Sequence, residues 1–286
     1  MHSPAAAAAF RSVAVKEEAG PKVRERSPSF ADYFSQATQF WNSMSDWEKD
    51  HIAAAFAFEL NQVVNEMVRD RTMNEILVNI HKDLAAMVSE ATGIAVSPAG
   101  TAESPTPSAP TPAGPLRKDA ETLQSPALSM DKPVLTIKGR KVAVLLADGV
   151  DTGEIEACLE SLAGAGLVAE TIGPRAGTVA ATCGPLKVNR AAPNAPSVMF
   201  DAVLVPSGVG TAMADKTLIQ RFLHEAWRHG KPIAVAADGA PLLQAAAVPV
   251  ESEGISLDSP EVLASRLATD LRRHRFPRRV SVLHPS

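Results

Sequence analysis

The stretch Lys231-Pro-Ile-Ala-Val-Ala-Ala-Asp-Gly-Ala240 runs from an apolar strand pattern straight into a tight turn and the start of a helix. Many α/β enzymes mount a nucleophile on that geometry, because the sharp turn holds the reacting atom at the edge of the sheet. Here the turn carries Ala237 and Asp238, and neither is a nucleophile of the usual kind. Asp238 is suited to accepting hydrogen bonds from turn amides, a structural role. The two cysteines are the other candidates. Cys158 lies four residues after Glu154, one helical turn away, and a carboxylate there raises a thiol's pKa and quiets it. Cys158 is therefore expected to pack against a sheet, and Cys183, in Thr-Cys-Gly-Pro-Leu, to sit exposed in a hairpin turn.

The remaining motifs fail on spacing. Gly208-Val-Gly210 follows a strand pattern, but residue 213 is Met, so the dinucleotide fingerprint G-x-G-x-x-G is not met. His224 and His229 are five apart, which removes the i, i+4 geometry of a helical metal pair. Arg272, Arg273, His274, Arg275, Arg278 and Arg279 make a basic tail without interleaved aromatics, expected to be a solvated helix end that favours the helix dipole.

The elements that must position these residues follow from composition and periodicity. The 286 residues leave room for two domains, with 45% apolar and 21% charged residues and a net charge of −4. That balance gives no reason to expect nucleic acid or an acidic membrane as partner, no apolar run reaches the length of a membrane span, and two cysteines build neither a disulfide framework nor a thiolate metal site. A reducing, cytoplasmic location fits. Residues 1–28 are expected to be a disordered leader. Residues 29–96 read as helices: Phe34, Ala37, Phe40, Trp41 and Met44 share one face, with Ser29 and Asp32 as a capping pair before it. Ser-Asp-Trp-Glu (45–48) is a capping box that opens a second face of Ile52, Ala55, Phe56, Leu60, Val63, Val64 and Met67, expected to be buried. Further turns run through Ile76, Leu77, Ile80, Leu84, Met87 and Val88 to a helix end at Gly93. With two tryptophans in play, this region reads as a layer packed on something larger. Residues 97–133 are rich in Pro, Ser, Ala and Thr and read as a flexible tether. From 134 to 286 strands at 141–147, 167–172, 202–206 and 232–236 alternate with helices at 154–165 and 211–229, which predicts an α/β fold with a doubly wound, flavodoxin-like parallel sheet whose ligand edge lies at the strand carboxyl ends.

Here the residues carry a resemblance. ADGVDTGEIEACLESLAGAG, VLVPSGVG and PIAVAADGA resemble the PfpI-type branch of the class I glutamine amidotransferase-like superfamily. GPKVRERSPSFADYFSQATQFWNSMSDWEKDHIAAAFAFELNQV is similar to the helical region that follows the haem core of catalases, and SRLATDLRRHRF matches the same ending. In this order they resemble the C-terminal part of large-subunit catalases. On the PfpI pattern Ala237 falls at the cysteine nucleophile and Glu154 at its acidic partner, so Glu154, Ala237 and Asp238 form a vestigial elbow, and Pro206-Ser207-Gly208 lacks the paired glycines of the oxyanion turn. The haem of the full-length family would need an axial tyrosine with an arginine four residues earlier. Tyr33, the single tyrosine, has Ser29 there, so neither cofactor nor metal is expected in this chain. The resemblance implies a non-catalytic module that stabilises or assembles a catalase, or acts as a chaperone-like surface, with a second copy or a catalase haem core as partner. The competing expectation is an enzyme: a catalase completed by a separate haem core, or a divergent hydrolase using Glu154 and Asp238.

Overall fold

Short runs of Val, Ile, Leu and Ala with few polar interruptions make strands buried on both faces, as parallel sheets require. The computed structural model describes residues 30, 32–97, 119, 122–213 and 215–279. Six strands form one sheet: β1 (Lys141–Leu145), β2 (Val168–Gly173), β5 (Arg190–Ala191), β6 (Ala202–Val205), β7 (Ile233–Ala236) and β8 (Ile255–Asp258), in the order β5-β2-β1-β6-β7-β8. Every neighbouring pair is parallel. Each residue of β6 and β7 is buried. The helices α6 (Thr152–Gly164), α7 (Val209–Met213), α8 (Thr217–Arg228), α9 (Ala240–Ala245) and α10 (Pro260–Asp270) cover the sheet, α6 packing on α10 and α8 on α9. The helix expected over 211–229 is divided, because the chain turns between Met213 and Thr217 and starts again after Lys216.

The antiparallel hairpin of β3 (Gly177–Ala181) and β4 (Gly184–Val188) folds over the loop that follows β1. Gly149 N–H donates to Ala180 O at 2.8 Å and Thr182 N–H to Val150 O at 3.1 Å. Cys183 lies exposed in the turn between β3 and β4, as its sequence suggested.

The helical region comprises α1 (Ser35–Ser43), α2 (Asp46–Gln62), α3 (Glu66–Arg71), a π-helical turn (Thr72–Leu77), α4 (Val78–Ile80) and α5 (Lys82–Thr92). It encloses its own core of Trp41, Ala53, Leu60, Met73, Leu77, Leu84, Ala85 and Val88, so Trp41 is not part of an outward layer. The continuous face expected from Ile52 to Met67 breaks after Gln62. There Asn65 Oδ1 accepts from Met67 N–H at 3.0 Å and caps a new helix, with Val64 94% and Met67 58% exposed. Gly93 closes α5 in the left-handed conformation (φ 73°).

The expected leader 1–28, and most of the expected tether 97–133, lie outside the described residues. The last part of that tether, from residue 122, is held in place. Glu48, the capping-box carboxylate of α2, accepts from Ser45 N–H at 2.9 Å and also from Met130 N–H at 2.7 Å and Ser129 Oγ at 2.8 Å. Burial works against its charge, but these hydrogen bonds outweigh it and hold the carboxyl below its ordinary value.

The basic tail is no solvated helix end. After α10 the chain reverses at His274, held at φ 65°, and straps the N-terminal ends of the strands. Phe276 is buried against Gly230 and Gly254, and a Cβ on Gly254 would run into its ring. Arg279 donates to Ala226 O, Trp227 O, Lys231 O and Glu253 O, capping the end of α8. Arg272 O accepts from Val134 N–H at 2.8 Å, and Arg278 pairs with Asp131 at 3.1 Å. The expectation failed because tail carbonyl and guanidinium partners lie far off in sequence. Phe276→Ala should therefore cost about 3–5 kcal/mol, the range for an emptied aromatic site, whereas Arg278→Ala should cost under about 1 kcal/mol. Chemical denaturation of the two variants checks the contrast.

Candidate functional site

In an open α/β sheet, ligands bind where the strand order reverses, beyond the carboxyl ends of the strands. That point lies here between β1, whose chain crosses to β2 on one side, and β6 on the other. Two turns and one helix start meet there. The β1–α6 loop ends at Asp151, whose Oδ1 accepts from Glu154 N–H at 2.8 Å and caps α6. The turn after β6 is Pro206-Ser207-Gly208, with Gly208 at φ 78°, and a short 3-10 turn (Ala237–Gly239) follows β7.

The two turns clasp through glycine. A Cβ on Gly210 would strike the Gly239 backbone, and one on Gly239 would strike Val235. This contact brings the three elbow residues to one edge. Glu154 Oε1 accepts from Ser207 N–H at 2.9 Å, and Asp238 Oδ2 accepts from Gly208 N–H at 2.7 Å. Two consecutive amides of this turn thus carry carboxylates of the chain itself. Asp238 does accept turn amides, in the turn after β6 rather than its own. Ala237 and Asp238 are exposed. Ala237, the first residue of the turn after β7, carries only a methyl group.

The other expected residues lie apart. Cys158 is buried in the sheet's core, and burial first, then the Glu154 charge, push its thiol up to about 11. It lines a small cavity of about 160 Å³ between α6 and α10, with Glu154, Ser161 and Glu261. His224 Nδ1 lies 3.1 Å from Ala246 O, while His229 faces Glu225 at 3.5 Å. Among the described residues no group of three His, Cys, Asp or Glu side chains could hold a metal ion.

Among the described residues, the surroundings of Tyr33 do not fit haem. Tyr33 is 63% exposed, and the cleft of about 540 Å³ beside it is lined by Phe34, Val68, Arg71, Thr72, Glu75 and Ile76 without a histidine. Arg71 in that lining pairs with Glu75 at 3.3 Å rather than with the phenol. An axial phenolate needs a sheltered oxygen, and the exposed Tyr33 does not provide one.

A family model described as the C-terminal domain found in long catalases matches residues 138–281, half of the chain. The chain belongs to this long-catalase family. A second model, described as catalase-related immune-responsive, matches residues 27–92. Catalase HPII of Pseudomonas putida is 40% identical over 215 residues, 73% of this chain and 28% of that protein. Catalase HPII of Pseudomonas aeruginosa is 37% identical over 258 residues, and Catalase-2 of Bacillus subtilis 35% over 248 residues, each match covering 33% of the relative. The chain thus spans about a third of the length of the long catalases it matches.

Sequence reasoning missed the pairing of Glu154 with Ser207, which joins residues 53 apart. It also missed Asp201, which gathers Arg140, His274 and Arg275 at the opposite edge of the sheet. The available signal was the placing of Arg140 and Lys231 just before strand runs and Lys141 at the start of one, with Asp201 as the acid in a matching position. In the native protein a disulfide-based thiol reagent at neutral pH should titrate one thiol per chain, Cys183, and both only after denaturation. Rapid labelling of Cys158 in the folded state would contradict its burial.

Proposed function

We propose that this chain serves as a non-catalytic C-terminal module of a long catalase, stabilising or assembling the part that carries the haem. The observation that carries this reading is the self-occupied elbow: Ser207 and Gly208 amides bound by Glu154 and Asp238, beside Ala237. A carboxylate that already accepts a backbone amide, with no thiol beside it to activate, performs no nucleophilic catalysis. The divergent-hydrolase reading asks Glu154 and Asp238 to leave these amides and gains no support from the site.

The partner is a catalase haem core or a second copy of this chain, and the helical region offers the surface. Phe30 is 67% exposed, Tyr33 63%, Phe58 66% and Val64 94%, an apolar display that costs free energy unless covered. A chaperone-like role would use the same surface. The strand order β2-β1-β6-β7-β8, with β5 added at one edge, supports reading the sheet as flavodoxin-like. Among the described residues no helix is long and apolar enough to cross a membrane. We assign the chain to the cytoplasm, its domains to 29–96 and 134–286, and its setting to hydrogen peroxide detoxification.

The test mixes the chain with the haem-bearing part of a long catalase expressed without its own C-terminal region. The complex should unfold at a higher temperature with unchanged turnover per haem. Peroxide consumption by the chain alone, in proportion to its concentration, would overturn the proposal.

A further inference from the structure

The most crowded charges lie at the N-terminal edge of the sheet, away from the elbow. Asp201, just before β6, is the carboxylate at their centre. Its Oδ2 accepts from Lys141 N–H at 3.0 Å, while Oδ1 is approached by Arg140 at 3.3 Å, Arg275 at 3.6 Å and His274 Nε2 at 3.6 Å. The buried Lys231, just before β7, directs Nζ to Ser197 O and feels both Asp201 and Arg275. Two permanent cations, Arg140 and Arg275, and Lys231, whose amine burial and then Arg275 push down to about 8, therefore share one anion before His274 is counted. The Lys141 side chain turns away to Glu170 at 3.0 Å, and Arg273 to Glu253 at 3.7 Å, so neither acid helps balance the cluster. His274 is also the pivot of the strap, being the residue held at φ 65°.

We propose that the strap from Leu271 to Arg279 is a pH-responsive clasp, closed while His274 is neutral and opened when His274 takes up a proton. Closed, it seats Phe276 over Gly230 and Gly254 and fixes the segment leading from the helical region through Arg272 O with Val134 N–H and Arg278 with Asp131. A proton on His274 adds a fourth cation to a group whose single carboxylate is fully engaged. Opening lets the imidazolium reach water, and it loosens the junction between the helical region and the sheet.

The direction of the imidazole shift agrees. Burial, then Arg275 and Arg140, lower the His274 pKa from 6.5, against Asp201. A histidine whose pKa is lower in the closed form binds its proton better in the open form. Closure is thus fully favoured above the ordinary imidazole value and is lost as pH falls below it. One pH unit below the ordinary value, the open form gains up to about tenfold in population relative to its level at pH 7.5.

Hydrogen exchange of the full chain tests the clasp, read at the Phe276 amide, which donates to Gly230 O at 2.7 Å, and at the Val134 amide. After correction for intrinsic exchange, the opening constant at both amides should rise between pH 7.5 and 5.5, by at most about tenfold. In His274→Asn, which tolerates the left-handed backbone but does not titrate, it should stay level. No rise in the wild type, or the same rise in His274→Asn, would overturn the clasp. An NMR titration of the wild-type imidazole gives a second reading independent of how the variant folds: a midpoint below 6.5 is expected, and one at or above it would overturn the proposal.

Discussion

One carboxylate, Asp201, sets the frame on which the α/β unit is built. It receives the amide at the start of β1 and collects guanidinium groups from the approach to β1 and from the C-terminal strap. Burial works against its charge, and the Lys141 amide, Arg275 and Arg140 more than offset that, holding it below its ordinary value. Through the strap the same carboxylate governs the end of α8, where Arg279 gathers carbonyls, and the glycine seats of Phe276. A parallel sheet has all strand starts at one edge, where loops must meet without ladder hydrogen bonds. Here a short basic segment does that work.

With the starts of the strands tied, their carboxyl ends are fixed closely enough for backbone to meet backbone at Gly210 and Gly239. That contact is what lets Asp238 reach Gly208, and Glu154 closes the gap between β1 and β6 through Ser207. The place where such sheets usually hold a ligand is spanned by the chain's own acids. That edge of the sheet is a structural joint, and the proposed non-catalytic reading rests on it.

Much of this was legible in the residues. The apolar runs gave β1, β2, β6 and β7, Ser45 and Glu48 marked the start of α2, and Gly93 its counterpart at the end of α5, because each signal is local. The elbow was legible as a turn without a nucleophile. What stayed hidden depends on distant partners: Glu154 with Ser207, Asp238 with Gly208, and Arg279 with four carbonyls. Periodicity also misled between Leu60 and Met67, where an apolar run continued through a break made by the single side chain of Asn65. An amphipathic pattern records which residues prefer burial, and Val64 at 94% exposure shows that the preference can go unmet within one chain.

The most direct measurement of the central claim is an NMR titration read at the Ser207 and Gly208 amides. If the elbow is filled by the chain's own carboxylates, both amides should shift as Glu154 and Asp238 are protonated, with the Ser207 response absent in Glu154→Gln. Neither amide should respond at neutral pH to added acetate or phosphate. Amides that ignore the two carboxylates but move with a small added anion would show an open oxyanion site, and the reading of this domain as catalytically silent would fall.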